Sequence, residues 1–239
     1  MLRAALLLTG CFLAGTGMAQ ERTITLVADA WCPFNCLNSD SDRGLLVERA
    51  AAALAREGFQ IQYHEIPWSR AIVGVRNGQY DGIVGAARDE TPDFHFPSEP
   101  LAVARFSFYT MPSSSWEYEG LESLADLRLG VIQDYSYGGL RADYIEPNEG
   151  DSSRLVMLRG DQVLPRLVQM LELGRIDALI AEERVLEHYF QSNGRDNTLR
   201  HAGLARKEAL YVAFSPAREG GPDLAATLGR GLESLANAP

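Results

Sequence analysis

The feature that most constrains this chain is a repeat. "NGQYDGIVGA" (77–86) and "LGRIDALIAE" (173–182) superpose at a constant offset of 96 residues, with Gly78 on Gly174, Asp81 on Asp177 and Ala86 on Glu182. Each copy reads as a helix end, a glycine stop and a buried strand, a unit common to many folds. The surrounding order repeats as well. In the first half, 23–28 reads as a strand, 44–58 as a helix with Leu46, Ala50, Ala53 and Leu54 on one face, 60–66 as an alternating strand, 67–78 as a helix and 80–86 as a strand. In the second half, 127–133, 153–158 and 176–182 read as strands, and 136–145, 161–174 and 183–191 as helices. Such alternation implies parallel strands with helical crossovers. The expected class is α/β: two similar lobes, each a mainly parallel sheet flanked by helices. The β-rich runs 101–111 and 208–216 would be hinge strands joining the lobes, and the tail helix 223–238 would pack back on the first lobe. The lobes are expected to be 20–109 with 210–239, and 110–209.

The first twenty residues do not belong to this pattern. "MLRAALLLTGCFLAGTGMAQ" has a basic Arg3, an apolar run and a small-residue site at Gly17-Met18-Ala19, so residues 1–19 read as a signal peptide. "LTGC" also fits a lipoprotein box that would lipidate Cys11, but the apolar run continues through Phe12, Leu13 and Ala14, which favours Cys11 inside a signal core. No later stretch reaches the roughly 18 apolar residues of a membrane span. The mature chain is expected to be soluble and periplasmic. Its formal net charge of -10 argues against nucleic acid as a partner.

Removal of the signal would leave Cys32 and Cys36 as the two cysteines. In an oxidising compartment "CPFNC" is expected to close as a disulfide. The alternatives are a redox pair, for which the spacing is one residue too long, or half a metal site. Further ligands for a metal are scattered, at His64, His95, His188 and His201.

In open parallel sheets, ligands bind beyond the carboxyl ends of the strands. In the first half those ends offer Asp29, Trp31 and Phe34, then Trp68, Ser69 and Arg70, then Arg88; in the second they offer Asp134, Tyr135 and Ser136, then Gly160 and Asp161, then Glu182. Arg88 and Glu182 follow equivalent strands. If the lobes face each other, a cation and an anion would face across one cleft, as a receptor for a small zwitterion. Arg88 would take a carboxylate in a two-pronged pair and Glu182 an ammonium. Trp31, Phe34 or Trp68 would cover the apolar part, and backbone N–H groups near Ser136 would add donors. Arg70, a cation in a first helical turn, is electrostatically misplaced unless it meets a partner. Each residue also has a plainer reading. Arg88 has Asp89 and Glu90 beside it, Glu182 or Glu183 suits a helix N-terminus, and Trp68 suits a core. Catalytic patterns are weak. "DYSYG" (134–138) resembles a nucleophile elbow at Ser136, but Asp134 stands where that turn needs glycine. No phosphate loop or zinc signature is present, so neither cofactor, metal nor catalysis is expected.

"WCPFN", "ARDETPDFHFPSEPL" and "GRIDALIAEERV" together resemble a known family, the polar amino-acid-binding periplasmic proteins (extracellular solute-binding family 3), which have the type 2 periplasmic-binding-protein fold. The resemblance implies that Arg88 holds the ligand's carboxylate, Glu182 its ammonium, and that Trp31 covers it. It also implies a monomer that closes on an amino acid or related amine and presents it to an ABC permease or a sensor. The hydroxyl residue usual before the arginine is replaced here by Gly85 or Ala86, glutamate replaces aspartate at 182, and the Cys32–Cys36 ring and "PWSRA" are not general in the family. A dehydratase of the same fold and a non-transport sensor or partner protein are the alternative readings.

Overall fold

In a computed structural model, residues 22–37 and 42–237 are described; the signal segment 1–19, with Cys11, lies outside them. Eight strands form one sheet in the order β2-β1-β3-β8-β4-β7-β5-β6. On one side lie β1 (Arg22–Ala28), β2 (Phe59–Glu65) and β3 (Gly82–Ala86), with α1 (Leu45–Arg56) between β1 and β2 and α2 (Trp68–Arg76) between β2 and β3. On the other lie β5 (Leu129–Ile132), β6 (Leu155–Leu158) and β7 (Ala178–Glu182), with α3 (Val163–Glu172) before β7 and α4 (Glu183–Ser192) after it. Within each set the strands run parallel, β1 pairing with β2 and β3, and β5 with β6 and β7. The two sets share the order second-first-third, so β1, β2 and β3 correspond to β5, β6 and β7.

Between the sets run β4 (Ala102–Thr110) and β8 (Arg200–Phe214). They pair antiparallel from Ala102 with Leu210 to Thr110 with Arg200, while β8 also joins β3 and β4 also joins β7. Both halves therefore hang on one ladder. The central strands β3 and β7 are buried along their whole length, as their apolar runs require, with Glu182 the one charged residue, at the end of β7.

The 96-residue repeat has a physical basis. Gly78 (φ 76) and Gly174 (φ 65) end α2 and α3 in the left-handed region. At both ends the next two N–H groups fold back in the same way: Gly78 to the Val75 carbonyl and Gln79 to Gly74, Gly174 to Leu171 and Arg175 to Met170. The aspartates also match. Asp81 Oδ2 accepts the Thr25 N–H at 2.7 Å, and Asp177 Oδ2 accepts the Arg128 N–H at 2.9 Å. Each carboxylate fastens the start of its strand to the first strand of its own half.

The segment 136–145 is not the helix its composition suggests. Tyr137, Gly138 and Gly139 take φ values of 51°, 66° and 91°, which interrupt any helix. A single wide turn follows at Arg141–Ile145, then a 3₁₀ turn at Glu146–Asn148. Tyr137 is held away from helical geometry because its hydroxyl accepts the Ile132 N–H at 2.7 Å. The tail forms α5 (Gly221–Ala236), which packs on α1 so closely that a Cβ at Gly231 would lie 2.2 Å from the Ala53 carbonyl oxygen. Among the described residues no helix is long and apolar enough to cross a membrane.

Asp81 is buried and also pairs with Arg218 at 2.7 Å, whereas Asp177 is exposed. Asp81→Ala is expected to cost about 2–3 kcal/mol of unfolding free energy and Asp177→Ala about 1 kcal/mol, measured by urea denaturation. Equal costs would show that burial of the carboxylate adds nothing.

Candidate functional site

A cleft of about 560 Å³ lies between the two halves, within the usual range for small-molecule sites. The carboxyl ends of five strands supply most of its wall. β1 gives Asp29 and Trp31, β2 gives Glu65 and Trp68, β5 gives Tyr135 and Tyr137, β6 gives Arg159 and Asp161, and β7 gives Glu182. Phe106 of β4 and His188 of α4 complete it. The end of β3 contributes nothing to this lining.

The aromatic wall is built by the short loop after β1. Cys32 and Cys36 are joined in a disulfide with Cα atoms 5.1 Å apart. Across that ring Trp31, just before it, pairs with Asn35 through the backbone, and the Asn35 amide donates to the Val84 carbonyl at 3.2 Å. Trp31 is thereby fixed 6.1 Å from Tyr135 and 6.2 Å from Phe106, centroid to centroid. Trp68, the first residue of α2, meets Tyr135 edge-on at 5.9 Å. Tyr137 stands edge-on to Phe106 at 5.3 Å.

Acids line the floor. Asp29 accepts the Tyr135 hydroxyl at 2.5 Å. Burial pushes its carboxyl up to about 6, against the pull of that hydroxyl, and Glu65 adds to the rise. Burial also raises Glu65, and Asp161 on the opposite half raises it further. Carboxyls from both halves thus face one another around an aromatic enclosure, which favours a cation between them.

The expected site residues are placed unequally. Trp31, Trp68, Tyr135 and Glu182 reach the cleft. Arg88 does not. Its guanidinium donates to the Pro97 carbonyl at 2.8 Å and lies 4.9 Å from the Phe96 ring and 4.6 Å from the Tyr211 ring. It lines a separate surface groove beside α5. The bulge where β3 leaves its pairing with β8, between Val84 and Ala86, sends the following residues off the cleft. The opposed grip by Arg88 and Glu182 is therefore not assembled. Glu182 is 1% exposed and caps α4, accepting the N–H groups of Arg184 at 2.7 Å and Val185 at 3.0 Å and that of Arg105 at 3.3 Å. Its acceptors are committed to backbone. Phe34 is fully buried in the core. Arg70 is exposed and outside the lining. Asp134 bonds Ser69 and lies 3.3 Å from Arg141, and with Ser136 it lines a neighbouring cavity.

Glu65, Phe106, Tyr137 and Arg159 were not singled out from the sequence. Glu65 carried a signal, since it is the last residue of an alternating strand and stands two places before Pro67. Among the described residues no group of three or more His, Cys, Asp or Glu is arranged to hold a metal ion.

Strand order, crossed connections and an interlobe cleft at the carboxyl ends define the type 2 periplasmic-binding-protein fold, and comparison with known proteins agrees. No family model matches the chain. It is 26% identical over 201 residues, 79% of this chain and 72% of the relative, to the arginine-binding extracellular protein of Bacillus subtilis (strain 168). A histidine kinase sensor domain with similarity to periplasmic binding proteins matches with a TM-score of 0.75 at 18% identity, covering 90% of this chain and 91% of that one. A holo arginine-binding protein of T. maritima matches with a TM-score of 0.70 at 17% identity, covering 91% and 92%. The expected periplasmic-binding-protein fold is thus borne out, and the chain resembles an amino-acid-binding relative.

One expectation is corrected. The sequence favours a protein without catalysis and leaves a dehydratase as the alternative, yet an ancestral amino-acid-binding protein described as a precursor of cyclohexadienyl dehydratase matches with a TM-score of 0.66 at 16% identity, covering 90% and 89%. The fold is shared by a chain on the way to an enzyme, so it excludes no such activity.

The raised Asp29 carboxyl gives a measurable sign. The native state holds the Asp29 proton up to about pH 6, whereas its ordinary value is 3.8. Its contribution to stability is present below about pH 4 and lost as the pH rises through 6. Asp29→Asn is therefore expected to gain on the order of 2 kcal/mol relative to the parent between pH 4 and 7, after allowance for solvent screening, in urea denaturation at each pH. A pH-independent difference would remove the shift.

Proposed function

We propose that this is an extracytoplasmic solute-binding protein, a monomer whose lobes (20–109 with 210–239, and 110–209) close on an amino acid or related amine with a cationic nitrogen. The carrying observation is the cleft itself, where Asp29 and Glu65 face Asp161 around Trp31, Trp68, Tyr135 and Tyr137. A protonated amine or guanidinium there would gain charge-assisted hydrogen bonds and ring faces together. The carboxylate of a zwitterion has Arg159 on the second half, with the α3 start at Gln162–Leu164, in the role first read for Arg88. The arginine-binding relative supports the cationic class, and the sensor-domain neighbour supports signalling beside delivery to an ABC permease as the use of the closed form. A second reading, turnover in the same cleft, draws on the dehydratase precursor and on Asp29, whose carboxyl near 6 suits a general acid.

Calorimetry with arginine, lysine, glutamine and glutamate at pH 7.5 tests this reading. The cationic pair is expected to bind and glutamate not to. Asp29→Asn and Trp68→Ala should each weaken binding about tenfold to a hundredfold, while Arg88→Ala leaves it within about threefold. Affinity should rise as the pH climbs through 6, where Asp29 ionises. Preference for glutamate, or a hundredfold loss in Arg88→Ala, would overturn the assignment. Conversion of prephenate or arogenate by the purified protein would establish the catalytic reading instead.

A further inference from the structure

Three consecutive residues of the second half each bond to a different strand end of the first. Asp134 accepts from the Ser69 hydroxyl at the start of α2. Tyr135 donates to Asp29, after β1, at 2.5 Å. The Ser136 N–H donates to Glu90, after β3, at 2.8 Å. The Ser136 hydroxyl also reaches both carboxyl oxygens of Glu208, on the connecting strand β8, at 2.6 Å. Asp134 (φ 68) and Tyr137 (φ 51) bracket the run in left-handed backbone, which residues other than glycine keep where surrounding contacts hold them.

We propose that Asp134–Tyr135–Ser136 is a latch that holds the two halves together in the absence of solute, and that proton loss from the Glu90 and Glu208 carboxyls flanking Ser136 releases it. The surroundings of the pair are mostly acidic. Glu90 receives the N–H groups of Ala87 at 3.0 Å and Ser136 at 2.8 Å, and feels Glu208 and Asp89, with the Tyr135 and Tyr137 hydroxyls near. Glu208 feels Asp89 as well as the Ser136 hydroxyl and the Gly138 backbone. The nearby cations are engaged elsewhere. Arg76 pairs with Asp93 at 2.8 Å, Arg141 with Asp134 at 3.3 Å and Glu146 at 2.8 Å, and Arg206 with Asp143 at 3.0 Å; Lys207 is exposed.

Burial, and then Glu208, pushes the Glu90 carboxyl up to about 8. Burial pushes Glu208 up to about 7, opposed by the Ser136 hydroxyl and helped by Asp89. Parting the halves would hydrate both groups and return them toward ordinary values, so the closed form binds more protons. Its advantage is full below the ordinary carboxyl value of 4.5 and is lost progressively as the pH rises through 7 and 8. Each unit of difference between closed and open forms changes their ratio about tenfold.

Small-angle X-ray scattering of the full chain without added solute, at pH 6 and pH 9, reads this directly. The radius of gyration is expected to increase at pH 9 while far-UV circular dichroism stays unchanged, with the closed-to-open ratio falling at least about tenfold. The variant E90Q/E208Q, neutral throughout, should stay compact at both values. An unchanged parent, or a double variant that opens as the parent does, overturns the proposal. If the double variant does not fold, E208Q alone decides. Its opening should follow one proton rather than two, and undiminished steepness overturns the latch. Because no solute is added, failure here leaves the binding reading standing.

Discussion

The antiparallel pairing of β4 with β8 is the constraint on which the rest of this structure depends. Each half is a small parallel sheet whose innermost strand, β3 or β7, has one parallel neighbour of its own. Its other edge is filled by a connecting strand, β8 beside β3 and β4 beside β7. Without the ladder both inner strands would expose a row of unpaired backbone groups. The ladder is irregular near Phe106, Ser107 and Tyr109. Such shifts re-aim side chains, and Phe106 lies at one of them, facing the cleft.

Given that ladder, the chemistry of the cleft follows from where strands end. Parallel strands deliver their carboxyl ends to one side, and two facing sets deliver them to one gap. The rings of Trp31, Trp68 and Tyr135 crowd that gap, and burial at Asp29 makes a charge there expensive. Asp29 tolerates the position through the Tyr135 hydroxyl and through a proton held more tightly than usual. A cation entering the gap would replace the proton.

The repeat made the architecture legible because it rests on local rules. A glycine after a helix and an aspartate before a strand do the same work in both halves. The side of the sheet that carries the cleft was legible too, through the rule of strand ends, which points to Trp31, Trp68 and Tyr135 in its lining. Direction beyond the strand end was not legible. Arg88 lies one residue outside a buried run, but a bulge and two aromatic faces take it to another surface. Glu182 sits at the equivalent point and turns to the first N–H groups of α4, since a buried carboxylate is stabilised more by several fixed donors than by an empty space. The stretch 136–145 has helical composition over most of its length, yet the Tyr137 hydroxyl bond to the nearby Ile132 N–H and the long-range Ser136 N–H bond to Glu90 override it. The Arg88 and Ser136 outcomes depend on partners distant in the sequence, whereas the Glu182 cap is local and is one of the two readings its position allows.

The packing of α5 on α1 means that the first half is completed by the last segment of the chain. A ribosome or an export channel that releases the polypeptide from its amino terminus would deliver the whole middle portion before α5. That portion could build β5, β6 and β7 with their helices while the earlier strands still waited for β8 and the tail. Gly231 against the Ala53 carbonyl is then a closing stitch, made after everything between has been threaded.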